Sequence, residues 1–298
     1  MPILRPKRRI KPLRVMILIL GIVFVVYVFI CAVKITSEAI NAVLEQKKYN
    51  IEREIPVMSE YDGPERQYNL AVLAADERAT LDQSLMMINK TNLLPMDFEP
   101  DVSEYKNSGL WMNSCMQSSF ENLSEDVKDK FSEKLFVSSA FRTEAEQRKE
   151  IEEQGDIAQA LGASEHQAGL GVDVYILYHA GKGFIDCDAG KWVNEHCWQR
   201  GFIIRYPKHA EDKTGISYEP WHLRYVGAPH AEYIMQKGLT LEEYFDLLEI
   251  GTLYKISTAD GNYAVTRFSG DTLYAPENFK EAVISIDNTG GHIATFLL

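Results

Sequence analysis

Cysteine is scarce in this chain of 298 residues: the four, at 31, 115, 187 and 197, match the spacing of no structural zinc motif. Cys187 and Cys197 are near enough in sequence to pair, which would leave Cys115 odd. A Gly-x-Ser-x-Gly elbow is missing, and no Ser-x-x-Lys stands in a usable place, so a serine peptidase is not supported. The glycine-punctuated turn at 178–183 lacks phosphate-loop spacing. Bases are also in short supply outside the N-terminus. Residues 1–34 hold seven Lys and Arg and no acid, leaving 24 bases against 43 acids for the remainder. Such an acidic body argues against nucleic acid as a partner.

What is present begins with nineteen uncharged residues at 15–33, long enough to span a hydrocarbon core as a helix. Six bases precede this run, so the positive-inside rule places residues 1–14 in the cytoplasm and the body outside. The rival reading is a cleaved signal peptide, but the run exceeds an ordinary apolar core and no clear Ala-x-Ala follows it. Residues 34–64 read as a stalk or linker, with apolar positions at helical spacing until Pro56 and the turn at 61–64. The main domain is expected over 65–250, and a small β-rich tail over 251–298. Helices are expected at 69–81, 123–134, 144–161 and 189–200. The acids of 144–161 read as a solvated helix face, and Gly162 as its stop.

Two stretches carry the chemistry. At 164–174, Ser-Glu-His-Gln-Ala-Gly-Leu-Gly-Val-Asp-Val reads as a tight loop feeding a strand. Leu170, Val172, Val174 and Ile176 alternate with Asp173 and Tyr175, so one face is buried and Asp173 is held on the other. At 217–227, Ser-Tyr-Glu-Pro-Trp-His-Leu-Arg-Tyr-Val-Gly supplies Glu219 and His222 beside Trp221. Taken singly, a His near a strand is more often a hydrogen-bonded side chain than a ligand, and an Asp often caps a loop. Together, His166, Asp173 and His222 form the three-donor inventory of a catalytic zinc, with Glu219 as a candidate base for the attacking water.

These residues resemble the VanY family of D-alanyl-D-alanine carboxypeptidases, with its Ser-x-His-x-x-Gly-x-Ala-x-Asp and distant Glu-Pro-Trp-His-x-Arg-Tyr-Val-Gly. Ser164, His166, Gly169 and Asp173 match the first pattern, and 219–227 match the second throughout; Gly171 stands where the family has Ala. Ser139-Ala-Phe-Arg-Thr143 is similar to the family's Ser-Gly-Tyr-Arg-Ser, with Ala140, Phe141 and Thr143 departing from it. The resemblance implies Zn2+ at His166, Asp173 and His222, Glu219 as catalytic base, and Arg142 as the stabiliser of developing charge. It also implies substrate contacts from Gln147 and Ser164, while Trp221 either walls the pocket or packs.

The expected class is α+β: a small central antiparallel sheet with flanking helices around a zinc site, following a transmembrane helix. The uncharged run and its flanking bases imply a single-pass membrane protein with its catalytic domain outside the cytoplasm, and the resemblance implies that the cell is bacterial. By the same resemblance, the protein would remove the terminal D-alanine of peptidoglycan stem peptides or lipid-linked precursors. D,D-dipeptidase or endopeptidase activity on the same fold is the nearest alternative, and a catalytically idle wall-binding ectodomain is a third. Non-haem iron is disfavoured because the acid follows the first His by seven residues rather than two.

Overall fold

The site rests on a four-stranded sheet whose residues alternate as the sequence demands. In a computed structural model that describes residues 55–155 and 159–298, and five isolated positions before them, the order is Phe136–Ser139, Gly171–Tyr175, His222–Tyr225, Phe202–Ile204. All three pairings are antiparallel. Val172 lies opposite Leu223, and Leu223 opposite Ile204. These three join Val174 and Phe202 in a buried cluster with Phe120, Leu123 and Val127. That trio recurs at helical spacing along Gln117–Phe131, which together with Asp188–His196 covers one face of the sheet. The opposite face is polar: Ser139, Asp173 and His222 form one row across three strands, and Gly171 and Arg224 form the next.

A second sheet lies beyond it, in the order Val57–Glu60, Leu253–Thr258, Gly261–Phe268, His292–Leu297, Glu281–Ile286, Ala79–Asp82. Only the last pairing is parallel. This sheet draws strands from both sides of the boundary expected at 250 and takes Val57–Glu60 out of the expected stalk. A further ribbon pairs Glu65–Asn69 with Thr272–Pro276. The helix expected at 69–81 is therefore only Leu70–Ala74, because strands from the C-terminal segment supply the backbone partners on either side of it.

Two other expectations change. A capping box at Thr143 and Glu146 starts the helix Glu144–Gln154, and Gly155, at φ 62°, ends it well before Gly162. Cys187 and Cys197 are free thiols at opposite ends of Asp188–His196: Cys187 Sγ accepts from the Gly190 amide at 3.4 Å, and Cys197 is buried. The helical rise over the ten steps between them keeps them roughly 15 Å apart. The run expected to span a membrane, 15–33, lies outside the described residues except for four helical positions, Leu20, Phe24, Tyr27 and Val28. Among the described residues no helix is long and apolar enough to cross a membrane.

Candidate metal centre

Strand register does most of the assembly. Asp173 and His222 are direct cross-strand partners, which puts their side chains next to each other on the polar face. Asp173 Oδ1 lies 2.8 Å from His222 Nδ1. His166 reaches the same carboxylate from the short helical turn Glu165–Ala168, its Nε2 3.3 Å from Asp173 Oδ2. Gly169 ends that turn at φ 67°, where an added Cβ would come within 2.8 Å of the Asn113 amide nitrogen, so glycine is required. The donor atoms of His166, Asp173 and His222 all lie within 4.8 Å of one another.

Each donor is oriented from behind. His166 Nδ1 is 2.7 Å from the Ala140 carbonyl oxygen, an acceptor-only atom, so Nδ1 carries the proton and the Nε2 lone pair is left, beside Asp173, for a cation held by both. His222 Nε2 lies 3.3 Å from Glu165 Oε2. Glu165 is fully buried; its other oxygen accepts from Arg205 Nε at 2.7 Å and Arg224 Nη1 at 2.6 Å. Burial alone would raise the Glu165 pKa, but the two guanidiniums and His222 hold it well below the usual carboxylate range. Asp173 behaves likewise through the two imidazoles. Burial lowers His166, against the pull of Asp173. Burial would lower His222 too, but its hydrogen bonds to Asp173 and Glu165 lift it to about 9. Two neutralisable imidazoles and an ionised carboxylate converging on one point suit a divalent cation of zinc's preferences.

These three donors open into a cavity of about 270 Å³ lined also by Arg142, Gln159, Ser164, Tyr206, Glu219 and Trp221. Glu219 opens a turn across Pro220, closed by His222 N to Glu219 O at 3.2 Å, and the segment is pinned by Glu219 N to Tyr206 O at 3.1 Å and Asn194 Nδ2 to Pro220 O at 3.1 Å. Burial raises the Glu219 pKa; His222 and Arg142 oppose this and Asp173 adds to it. Trp221 does both things expected of it, walling the cavity and packing on the core. Ser164 is buried in the wall.

Gln147 is not among the residues lining the cavity. It is fully buried, accepts from Arg142 Nη1 at 3.1 Å and donates to the Gln159 carbonyl at 2.7 Å, so it fixes Arg142 and the adjoining loop. Sequence reasoning passed over Glu165, Arg205, Tyr206 and Gln159. Glu165 stood at the unspecified position between Ser164 and His166, and only its buried partners reveal it. Gly171 also acquires a reason: a Cβ there would lie 3.1 Å from His222 Cε1 and Nε2 and 3.3 Å from Glu165 Cβ, so the glycine gives this pair room.

Comparison with known proteins agrees with this geometry. Residues 109–228 match the family model for VanY, D-alanyl-D-alanine carboxypeptidase. A D-alanyl-D-alanine carboxypeptidase of Enterococcus faecium is 32% identical over 195 residues, 63% of this chain and 62% of that protein. The chain thus aligns with less than two thirds of that relative's length. The bifunctional D-Ala-D-Ala dipeptidase and D-Ala-D-Ala carboxypeptidase VanXYC of Enterococcus gallinarum is 33% identical over 183 residues, covering 55% of this chain and 95% of that protein. Among solved structures, the vancomycin resistance D,D-dipeptidase VanXYg superposes with a TM-score of 0.64 at 21% identity, over 81% of this chain and all of that one, a likeness of fold. With both motif stretches inside the matched region and one relative covered almost end to end, the chain belongs to the VanY family of D-alanyl-D-alanine carboxypeptidases.

Proposed function

We propose that this protein is a zinc D,D-carboxypeptidase that hydrolyses the terminal D-alanine from peptidoglycan stem peptides or lipid-linked precursors ending in D-Ala-D-Ala. The observation that carries this reading is the convergence of His166, Asp173 and His222 donor atoms within 4.8 Å at a cavity walled by Glu219 and Arg142. Those three residues would hold Zn2+. The chemistry such a metal supplies is Lewis-acid polarisation of the scissile carbonyl and of an attacking water.

Glu219 takes the proton of the attacking water and returns it to the leaving amine of D-alanine. Its burial-raised pKa keeps it a competent base near neutral pH, where a fully solvated carboxylate would be weaker. Arg142 supplies positive charge where the carbonyl oxygen becomes negative. Its guanidinium lines the cavity and is held there by Gln147 Oε1, 3.1 Å from Nη1. Ser164 and Trp221 frame the peptide, and Gln147 acts through Arg142.

A second cavity of about 470 Å³ shares Arg142 with the first and is walled by Leu94, Met96, Phe98 and Phe141. Space on that side of Arg142 favours a stem peptide over a bare dipeptide, and so carboxypeptidase over dipeptidase. The uncharged run at 15–33 behind six bases supports a membrane-anchored protein with this domain outside the cytoplasm, where stem peptides are exposed.

The test is release of D-alanine by the zinc-loaded protein from a pentapeptide stem ending in D-Ala-D-Ala, with free D-Ala-D-Ala as a parallel substrate and metal content measured alongside. Cleavage of the stem with one zinc per chain is expected. Cleavage of the free dipeptide alone would make it a dipeptidase, and one zinc without turnover of either would leave a wall-binding domain.

A further inference from the structure

Behind His222 lies a group of four buried or half-buried charges that the chemistry above does not use. Glu165 is paired with Arg205 and Arg224; Arg205 also donates to both oxygens of Glu242, at 2.9 Å from Nη1 and 2.6 Å from Nη2. Arg224 Nη2 donates to the Met86 and Ser84 carbonyls at 2.7 and 3.0 Å, and its Nε to the Tyr225 carbonyl. Two arginines and two glutamates cancel, so the group is neutral without a charge on His222. Every oxygen of Glu165 is committed, one to the guanidiniums and the other to His222 Nε2.

From this geometry we infer that Glu165, clamped by Arg205 and Arg224, is the positioning residue of the metal centre: it takes the Nε2–H of His222, fixing the tautomer whose Nδ1 lone pair faces the metal. The inference rests on the zinc reading above. Both ring nitrogens face an ionised carboxylate, Asp173 at 2.8 Å from Nδ1 and Glu165 at 3.3 Å from Nε2; Asp173 belongs to the metal donor set and Glu165 does not, so a metal held there would take the Nδ1 lone pair and leave the ring proton on Nε2 for Glu165. A carboxylate free to turn would compete for the metal's open position or pull the ring out of line. The two guanidiniums prevent this by holding Oε1 from the far side. The clamp also explains why a metal site on one sheet needs the segments around it. Glu242 sits in the helix Leu241–Leu247, and Ser84 and Met86 follow the strand Ala79–Asp82, so the orientation of His222 depends on parts of the chain on either side of the motif region.

The test uses the full chain labelled with 15N at histidine, whose seven rings give a countable spectrum. Zinc is titrated in, and long-range 1H–15N correlations report which nitrogen of each ring carries a proton. One zinc per chain, a protonated Nε2 on His222 and a metal-perturbed Nδ1 are expected. In parallel, Glu165→Ala should weaken zinc binding about 10- to 100-fold against a competing chelator. Glu165→Gln, whose amide oxygen still accepts from Nε2, should recover part of that loss. One zinc bound through Nε2 of His222, or a folded Glu165→Ala with parental zinc affinity, overturns the inference while leaving the zinc reading intact. A parent that binds no zinc overturns both. If the variants do not fold, the spectrum of the unmutated protein decides.

Discussion

Replacing His230 with glutamine should flatten the acid side of the stability profile. His230 begins the helix His230–Lys237 and is buried, with Nδ1 2.6 Å from the Tyr244 hydroxyl and Nε2 2.8 Å from Thr295 Oγ1 on the strand His292–Leu297. No carboxylate faces either nitrogen, and burial alone pulls its pKa from 6.5 to about 3. The folded ring is therefore neutral where the unfolded ring is protonated. A depressed pKa means that stability is intact above the unfolded value and is lost as pH falls from 6.5 towards 3. At about pH 5 the unfolded ring is almost wholly charged and the folded ring is not. About 1.5 pH units at about 1.4 kcal/mol each give a loss of about 2 kcal/mol relative to neutral pH. Urea unfolding of the metal-free parent and of His230→Gln at about pH 7 and pH 5 reads this as a difference of differences, in which every other titration cancels. The variant should be less stable at neutral pH, because at most one of the two hydrogen bonds survives, with the gap closing by about 2 kcal/mol on acidification. A gap that changes by less than about 0.5 kcal/mol would mean that His230 titrates normally in the fold, and the burial argument would fail.

Glu219→Gln should keep one zinc and lose about 10²- to 10⁴-fold in kcat, because the amide cannot take the water's proton; stopped turnover with full metal content is the diagnostic pair. Gln147→Ala should cost about tenfold in kcat/KM with zinc affinity unchanged, since only the support of Arg142 is removed. Gly171→Ala introduces a Cβ 3.1 Å from the His222 ring without backbone strain, and should weaken zinc binding by less than about tenfold in a chelator competition. Free zinc at about 100 times its Kd should stabilise the parent by about 2.7 kcal/mol, seen as a raised Tm, and Asp173→Ala should abolish that gain.

The metal donors and Glu219 stood out in the chain because they occupy two short stretches that match a family's motifs; local alternation placed Asp173 on a strand face, while the place of Glu219 leaned on the resemblance. Period-two alternation at Gly171–Tyr175 presents Asp173 opposite the buried valines, and Pro220 biases Glu219 away from a helical backbone. The β pattern of the C-terminal segment could be read in the same way for three of its strands, since alternation and glycine turns are local signals. What escaped was set between segments. Whether 69–81 is helix or strand depends on Thr272–Pro276 and Glu281–Ile286 arriving beside it, and the local pattern is silent on that. Gln147 has the composition of a substrate contact, yet packing turned it inward onto Arg142.

The contrast is sharpest at Glu165. By itself the sequence determined that a carboxylate precedes His166, that Asp173 lies on a strand, and that His222 follows Glu219. Tertiary structure alone decided that Glu165 points inward, meets Arg205 and Arg224, and reaches the far nitrogen of His222. Burying a charge is unfavourable until its partners are in place, and those partners come from strands brought together by pairing register rather than by nearness in the chain.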